Sequence, residues 1–442
     1  MRFLLVAYDF PPTPSPQALR WAYLSRELAA AGHEVHVLTP DVAGYGPGGL
    51  GNPPGVERHP VFPGPFMGTL SMRARRKAES AGRRGGATAP SSFPHAGNAP
   101  RLNWKGRMME RVKAALSFFM FPDIRAEWGP WARRSLDRLL VALEPDIVVT
   151  SHEPANVLPL GLRAKRSGYR WIADLGDPVL APYTPRRWRE RAFALERQVC
   201  ESADAVSVTN DGLRGLLVAR HGIPLDKVLL LPQGYDQAFG AAAEESTSVG
   251  FESDLLEALY TGSFYRFRSS SALVHAVLQT PGMRLNIATP SATPELIEAA
   301  ERHPDRIRML GFVPHRMAMS LQRRSDLLLN IANDDPVQVP GKLFEYLGSG
   351  TPILHIGGGL DDESCRVVTD AGAGWCVGND VGSIVGIFSA LVARKKLEGG
   401  IGRPTNASFD IERYSWRRLA AEFAGRASQC LLPTPEARHG AK

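Results

Sequence analysis

The sequence predicts an α/β fold of two units, each built around a parallel sheet. Short apolar segments alternate with longer segments that have helical spacing, which is the pattern of stacked strand–helix–strand units. A small, polar stretch at 241–250 interrupts this series, and a second series begins at residue 259. The 442 residues are enough for two or three domains. We therefore expect two lobes with a cleft between them, where ligands bind beyond the carboxyl ends of the strands.

The first lobe is expected at residues 1–240. Its strands are short apolar segments bounded by polar residues, at 2–7, 34–38, 146–150, 171–174, 205–209 and 228–231. A helix is predicted at about 17–31, because Gly32 and His33 end its helical spacing. The region from about 43 to 100 breaks the alternation with many glycines, prolines, serines and arginines. We expect an exposed, partly disordered insertion there.

The second lobe is expected at 251–405, and residues 406–442 supply a C-terminal helix and tail. Within this lobe, an apolar strand at 326–332 precedes a polar loop, a helix that begins near Lys342, and a strand at 352–356. The free backbone N–H groups at the start of such a helix attract phosphate, and Lys342 adds a full positive charge.

Glu345 lies one helical turn after Lys342, on the same face of the helix. An ionised carboxylate only accepts hydrogen bonds, and its two oxygens suit the two vicinal hydroxyls of a ribose. The pair therefore fits a site for a charged nucleotide. An exposed ion pair on a surface helix explains the same spacing, and the residues alone leave both interpretations open.

Composition and charge narrow the functional classes. The formal net charge of +7 suggests an anionic partner, such as a nucleic acid, a membrane surface or a phosphorylated substrate. No basic motif with interleaved aromatic residues is present, so we expect no nucleic-acid partner. Cys200, Cys365, Cys376 and Cys430 lack disulfide or metal spacing, which fits reduced thiols in a cytosol. No apolar run approaches the roughly 20 residues that span a bilayer, and the first residues do not resemble a signal peptide.

A basic region precedes a segment with apolar residues at helical spacing. Six arginines and lysines lie within 73–84, and apolar side chains recur at helical spacing over 104–119, with basic residues on the other faces. One interpretation is a helix on the anionic cytoplasmic leaflet, assisted by the basic cluster. The other is a helix packed on the first lobe with a solvated basic face.

Several segments together resemble a known family. These segments are 8–12, 31–39, 121–123, 145–148, 171–178, 231–236, 260–263 and 340–354. On these motifs the chain is similar to GT-B glycosyltransferases of the large retaining, family 4-like group that uses nucleotide-diphosphate sugars. Residues 121–123, 145–148 and 171–178 resemble a subgroup of bacterial surface-polysaccharide assembly. The resemblance implies two Rossmann-like lobes with parallel sheets that face a central cleft, and a helix at about 415–430 that returns to the first lobe.

The resemblance also implies a donor site. Glu345 is expected to bind the donor ribose, while Arg268 and Lys342 neutralise the diphosphate, whose charge grows as the sugar leaves. The other residues of the matching donor-binding segments are Gly262, Ser263, Gly341 and Leu343.

The donor segments depart from the family pattern at two positions. Val337 stands eight residues before Glu345, where the family has a second glutamate that contacts the donor sugar. Asp334 or Asp335 could reach the same sugar hydroxyls, and a surface-loop role for this pair is an equal alternative. Ser263 stands where the family often has an arginine.

The candidate residues of the first lobe follow its predicted strands. The loop 14–17 replaces the family's glycine pair, so backbone contacts to phosphate are expected from Ser15, Gln17 or Ala18, because proline has no N–H group. A histidine at position 152 could orient or deprotonate an acceptor hydroxyl near neutral pH, or serve as a hydrogen-bonded structural residue. Asp177 fits an acceptor contact and a turn cap equally.

The sequence therefore predicts a cytoplasmic glycosyltransferase, peripheral at the inner membrane face in one interpretation. It transfers a sugar from a nucleotide-diphosphate donor to a saccharide or lipid-linked acceptor, with retention implied by the resemblance. The candidate catalytic residues are His152, Asp177, Arg268 and Lys342. No cofactor or metal is expected, because no cluster of histidine, cysteine and carboxylate residues has metal-binding spacing. The alternative is a catalytically silent relative that binds a nucleotide sugar or a glycan as a scaffold, and Val337 supports it.

Overall fold

The structure is a computed structural model. It describes residues 1–43, 50–83, 108, 118–237, 249–264, 270–333, 338–359, 362–404, 406 and 408–432. These residues form two compact units. The first contains the described residues up to Gln233 together with those from Trp416 onward, and the second runs from Gly234 to Ser415.

The sheet of the first unit is parallel and has the strand order β3-β2-β1-β4-β5-β6-β7. In chain order the strands are β1 (Arg2–Ala7), β2 (Glu34–Pro40), β3 (Val56–Val61), β4 (Ile147–His152), β5 (Arg170–Leu175), β6 (Ala205–Val208) and β7 (Val228–Leu230). The connections reverse direction between β1 and β4, and ligands of such sheets bind at this switch point, beyond the carboxyl ends of the strands.

Helices cover the sheet of the first unit. They are α1 (Pro16–Ala30), α2 (Pro65–Arg83), α3 (Gly129–Leu143), α4 (Leu158–Arg166), α5 (Arg189–Ser202) and α6 (Asp211–His221). The start of α1 follows from its sequence, because the Ser15 hydroxyl accepts a hydrogen bond from the Ala18 N–H at 3.0 Å and proline suits the first helical position. Gly32, with a φ of +85°, allows the chain to turn after this helix.

Two fully buried tryptophans anchor the core of the first unit. Trp128 packs edge to face against Tyr8, with ring centroids 5.6 Å apart. The Trp171 indole N–H donates to the Thr150 hydroxyl at 2.9 Å. Gly161 of α4 lets this indole approach closely, since a Cβ atom there would lie 2.2 Å from the ring. This packing fixes β4 and β5, the strands whose carboxyl ends carry candidate site residues.

The second unit has a parallel sheet in the order β10-β9-β8-β11-β12-β13. Its strands are β8 (Leu256–Thr261), β9 (Met283–Ala288), β10 (Ile307–Gly311), β11 (Leu327–Ile331), β12 (Ile353–Ile356) and β13 (Gly374–Val377). Its helices are α7 (Ser271–Gln279), α8 (Pro294–Arg302), α9 (His315–Arg324), α10 (Gly341–Ser349), α11 (Glu363–Asp370) and α12 (Val381–Glu398). The switch point of this sheet lies between β8 and β11.

The C-terminal helix α13 (Trp416–Leu431) returns to the first unit, as expected. Trp416 stacks on Tyr23 of α1, with centroids 5.7 Å apart and planes 10° from parallel. Phe423 is fully buried and meets Trp21 edge to face at 5.5 Å. These aromatic contacts explain why the amphipathic C-terminal segment docks on α1.

The region expected to be a partly disordered insertion contains regular structure. Its described part includes the edge strand β3 and the helix α2, which is a correction to the sequence-based expectation. An edge strand pairs on one side only, so it tolerates the polar residues and the proline at position 60 that obscured its pattern. Residues 44–49 and 84–100 lie outside the described residues, as do most of the predicted linker 241–250 and of the predicted helix 104–119.

Candidate functional site

In the second unit, the candidate site begins where β8 ends. Gly262 follows the last strand residue and has a φ of +103°, which glycine adopts without strain. Its N–H donates to the Ala288 carbonyl at 3.0 Å, so this turn stays attached to β9. The Tyr260 hydroxyl donates to the Ser263 carbonyl at 3.1 Å and keeps the following residue close to the strand.

Lys342 brings a positive charge to this strand end. Its ammonium donates to the Thr261 carbonyl at 2.9 Å and lies 3.6 Å from the centroid of the Tyr260 ring. The carbonyl and the ring hold the cation between the end of β8 and the start of α10. Because α10 begins at Gly341, the ammonium and the positive end of the helix lie together, where an anion binds favourably.

A buried tyrosine fixes α10 against β8. The Thr261 N–H donates to the Tyr346 hydroxyl oxygen at 3.0 Å, and the Thr261 hydroxyl lies 2.9 Å from the same oxygen. Burial raises the pKa of Tyr346 above its ordinary value, so the phenol stays neutral. The contact between Tyr346 and Thr261 therefore fixes the start of α10, and with it the position of Lys342.

Glu345 lies near a histidine that the sequence did not single out. Its carboxylate is 3.7 Å from Nε2 of His315, the first residue of α9, and both side chains are largely buried. The two side chains lie on neighbouring helices thirty positions apart, so no local spacing connects them. A carboxylate held in this way can accept hydrogen bonds from the hydroxyls of a ligand.

The other donor-site predictions have different outcomes. Gly341 begins α10, and Ser263 follows Gly262 in the turn after β8, as the sequence placed them. Leu343 is fully buried in the core, and its N–H donates to the Pro340 carbonyl at 2.9 Å. Its side chain therefore packs α10 against the core. The remaining predicted donor residues, Arg268, Asp334 and Val337, lie outside the described residues.

In the first unit, His152 lies at the carboxyl end of β4 and lines a cavity of about 290 Å³. The side chain is buried, and burial lowers its pKa below the ordinary value, which favours the neutral imidazole. Its Nδ1 atom has no hydrogen-bond partner among the described residues. The neutral imidazole borders the cavity, although Nδ1 itself is buried.

The same cavity combines aromatic and charged walls. The aromatic residues are Phe121, Tyr183 and Trp188, and the charged ones are Asp123, Arg125 and Glu153. The Tyr183 hydroxyl donates to the Glu153 carboxylate at 3.3 Å. Such flat apolar surfaces beside hydrogen-bonding groups suit a sugar ring and its hydroxyls.

Arg125 organises the charges around this cavity. Its guanidinium binds both carboxylate oxygens of Asp123, at 3.1 and 2.7 Å, and lies 3.9 Å from Asp9. Burial raises the pKa of Asp9, although Arg125 and a hydrogen bond from Ser15 partly oppose this effect. Sequence reasoning missed Arg125 as a site residue, although the motif at 121–123 precedes it directly.

The other first-lobe predictions have structural partners. Ser15 caps α1, and the Gln17 amide donates to the Ser151 hydroxyl at 2.9 Å and to the His152 carbonyl at 2.8 Å. Ser15 therefore stabilises the start of α1, and Gln17 links α1 to β4. Asp177 is half-buried in the loop after β5, next to Pro178, which lines the cavity.

No helix in the described ranges is long and apolar enough to cross a bilayer. Within the same ranges, the residues that could hold a metal ion are His36, Glu57 and His59. They lie on β2 and β3, away from the strand ends described above. The prediction of a metal-independent donor site stays a prediction.

Comparisons with known proteins agree with this architecture. Sucrose-phosphate synthase from Thermosynechococcus elongatus is similar, with a TM-score of 0.64 and 15% identity over 97% of this chain and 98% of that one. The Anabaena protein HepE, solved in complex with UDP, gives a TM-score of 0.62 and 10% identity over 97% and 100%. UDP-GlcNAc 2-epimerase from Methanocaldococcus jannaschii has a TM-score of 0.52 and 11% identity, over 97% of this chain and 100% of that one. No curated protein sequence matches the chain.

The two Rossmann-like units with parallel sheets are those of the GT-B fold, as the sequence predicted. Since an epimerase shares this architecture, the fold alone does not define the reaction. Residues 17–234 match the glycosyl transferase 4-like domain, so the chain carries a domain of the glycosyltransferase type.

Proposed function

We propose that this protein is a glycosyltransferase that moves a sugar from a nucleotide-diphosphate donor to a saccharide or lipid-linked acceptor. The observation that carries the proposal is the position of Lys342 between the end of β8 and the start of α10, with Glu345 one turn further. The glycosyl transferase 4-like domain over 17–234 supports transfer as the reaction. HepE, which was solved in complex with UDP, supports a nucleotide as the ligand.

The donor site stabilises the charge of the leaving group. As the sugar bond breaks, negative charge grows on the nucleotide diphosphate, and Lys342 and the start of α10 stabilise it without proton transfer. Arg268 adds a second positive charge in this proposal. Glu345 accepts hydrogen bonds from the two ribose hydroxyls, which fixes the nucleotide relative to the phosphates.

The acceptor occupies the cavity beside His152 in the first unit. The neutral imidazole orients the attacking hydroxyl, while Trp188 and Tyr183 contact the faces of the sugar ring. Asp177 adds a polar contact at the edge of the site. We infer retention of the anomeric configuration and metal independence from the family resemblance. A retaining reaction needs no strong enzymic base, so His152 only has to orient the acceptor hydroxyl.

We place the reaction in surface-polysaccharide assembly at the cytoplasmic face of a membrane. Phe118 and Phe119 are 53% and 77% exposed, and the Arg187 guanidinium lies 4.4 Å from the Phe118 ring centroid. Exposed aromatic residues next to arginine suit the interface of an anionic leaflet, together with the basic residues 73–84 and the helix predicted at 104–119. Sedimentation with phosphatidylglycerol vesicles, and its absence with phosphatidylcholine vesicles, tests this placement.

A thermal-shift and calorimetric screen tests the donor site, with UDP and UDP-sugars first and other nucleotides after them. We expect one donor to stabilise the protein and Glu345→Gln to weaken its binding by about 1–3 kcal/mol, the cost of losing hydrogen bonds to a charged acceptor. Glu398→Gln is the matched control, since this exposed glutamate of α12 pairs only with Arg394 in its own helix among the interactions described.

Binding and turnover together separate the two functional hypotheses. Donor binding with release of the nucleotide in the presence of an acceptor supports the transferase. Donor binding without turnover on any acceptor favours the silent scaffold, for which Val337 in place of a glutamate is the sequence observation. Equal affinities of Glu345→Gln and wild type for the donor would refute the assignment of Glu345 as the ribose-binding residue.

A further inference from the structure

Two histidines and a glutamate meet on the edge of the first sheet. β2 and β3 run parallel, with His36 in register with Glu57 and Leu38 in register with His59. Because side chains alternate along a strand, His36 of β2 and the pair Glu57 and His59 of β3 share one face of the sheet. The sequence does not reveal this cluster, since His36 and Glu57 are 21 positions apart and no short metal motif is present.

The distances within the cluster match those between the ligands of one metal ion. Nδ1 of His36 lies 3.0 Å from Nε2 of His59 and 3.4 Å from a Glu57 oxygen, and the other Glu57 oxygen is 3.8 Å from Nε2 of His59. Two ligand atoms bound to a tetrahedral Zn²⁺ at about 2.0–2.1 Å are about 3.3 Å apart. A hydrogen bond between the imidazoles explains the shortest contact, but the two longer ones are too long for good hydrogen bonds.

A further carboxylate orients the buried histidine. Nε2 of His36 lies 2.8 Å from one oxygen of Glu34, and the other oxygen of Glu34 accepts a hydrogen bond from Arg2 at 2.8 Å. A proton on Nε2 of His36 satisfies the first contact and leaves the Nδ1 lone pair directed at His59 and Glu57. Histidines that bind metals commonly donate their other ring N–H to a carboxylate in this way.

The cluster is accessible from solvent. The His36 side chain is 4% exposed and that of His59 21%, whereas that of Glu57 is 66% exposed. An ion can therefore enter from the side of Glu57, and a water molecule can complete four ligands. The combination of two imidazoles and one carboxylate suits Zn²⁺ among the biological divalent ions.

We propose that His36, Glu57 and His59 form a Zn²⁺ site, with Glu34 orienting His36. His36 is the third residue of β2, and Glu57 and His59 are the second and fourth of β3, whereas the candidate substrate sites lie at the carboxyl ends of other strands. The role of the Zn²⁺ site is therefore structural: the ion joins the edge strand β3 to β2. This attachment matters because an edge strand has one unpaired side and few other contacts to hold it.

The test measures Zn²⁺ binding to the full chain after treatment with EDTA and removal of the chelator. We expect one Zn²⁺ per chain by isothermal titration calorimetry, and visible absorption bands of tetrahedral Co²⁺ when Co²⁺ replaces it. His59→Asn should lose both signals, because it removes a partly exposed ligand without emptying the core. His303→Asn, at an exposed histidine of the second unit, is the matched control and should bind as wild type does.

Two further measurements connect binding to this geometry. Glu34→Gln should weaken Zn²⁺ binding by about 10–100-fold, as expected for the loss of a carboxylate that orients a ligand. Zn²⁺ should raise the unfolding temperature of wild type but not of His59→Asn, while UDP, the probe of the proposed donor site, should give the same thermal shift in the two proteins. Wild-type protein that binds no Zn²⁺ with 1:1 stoichiometry, or a His59→Asn variant that binds it as wild type does, would overturn the proposal.

Discussion

The buried ion pair between Asp174 and Arg20 gives the sharpest test of how the first unit is held together. Asp174 is at the carboxyl end of β5, and both side chains have 0% exposure. The donors to its carboxylate are the side chains of Arg20, Trp21, Ser207 and Gln17, at 2.7–3.2 Å. Arg20 also donates to the carbonyls of Leu231 and Pro232, at 2.8 Å each. The carboxylate therefore joins α1 to β5, β6 and the segment after β7.

Asp174→Asn removes the negative charge and keeps the size of the side chain. Arg20 then stays buried with two neutral carbonyls and no counter-ion, and the new amide NH₂ group faces hydrogen-bond donors. Breaking a buried pair in this way costs about 3–5 kcal/mol, since the remaining charge is uncompensated. Asp137→Asn is the matched control, because its bidentate pair with Arg163 is exposed and such pairs contribute only about 0–1 kcal/mol.

Urea unfolding monitored by tryptophan fluorescence measures both variants. The signal reports mainly on the first unit, because Trp375 lies in the second unit and the other described tryptophans in the first. These are Trp21, Trp128, Trp131, Trp171, Trp188 and Trp416. An Asp174→Asn variant within about 1 kcal/mol of both wild type and the control would refute the reasoning, since it would show that Arg20 needs no charged partner.

Two other variants test single contacts. Tyr346→Phe removes the oxygen that accepts from the Thr261 N–H, and it should cost the second unit about 1–3 kcal/mol, with faster hydrogen exchange along β8 as the measurement. Burial raises the pKa of Asp204, but hydrogen bonds from Lys165 and the Trp171 N–H outweigh this effect and hold it below its ordinary value of 3.8. The stability that wild type has over Asp204→Asn should therefore be complete above that value and shrink as the pH falls further, and a pH-independent difference in urea unfolding would contradict this.

The parallel strands and the nucleotide-type helix could be predicted because their information is local. Each central strand is a short apolar run, and α10 follows β11 with helical spacing up to Gly350. The edge strand β3 could not be predicted, since Pro60 and the charged residues around it hide its alternation. A strand that is paired on one side only does not need a continuous apolar pattern.

The candidate site was predictable where one helix supplies it and unpredictable where distant elements meet. Lys342 and Glu345 share a helical face, so their spacing made a site one of two interpretations before the family resemblance was added. The approach of His315 to Glu345 depends on how α9 packs beside α10. The cavity at His152 depends on three separate chain segments, 121–125, 152–155 and 178–188. Arg125 next to that cavity is visible in the sequence only as one of many arginines.

The contacts of Thr261 link the packing of the second unit to the proposed donor site. One residue at the end of β8 uses its N–H and its hydroxyl to bind Tyr346 and its carbonyl to bind Lys342. Lys342 and Tyr346 are four positions apart and therefore lie on the same side of α10. A shift of the helix by one residue would break all three contacts, so the buried tyrosine that stabilises the fold also fixes the cation. In the proposed function, the packing of Tyr346 and the anion-binding charge of Lys342 therefore depend on the same helical turn.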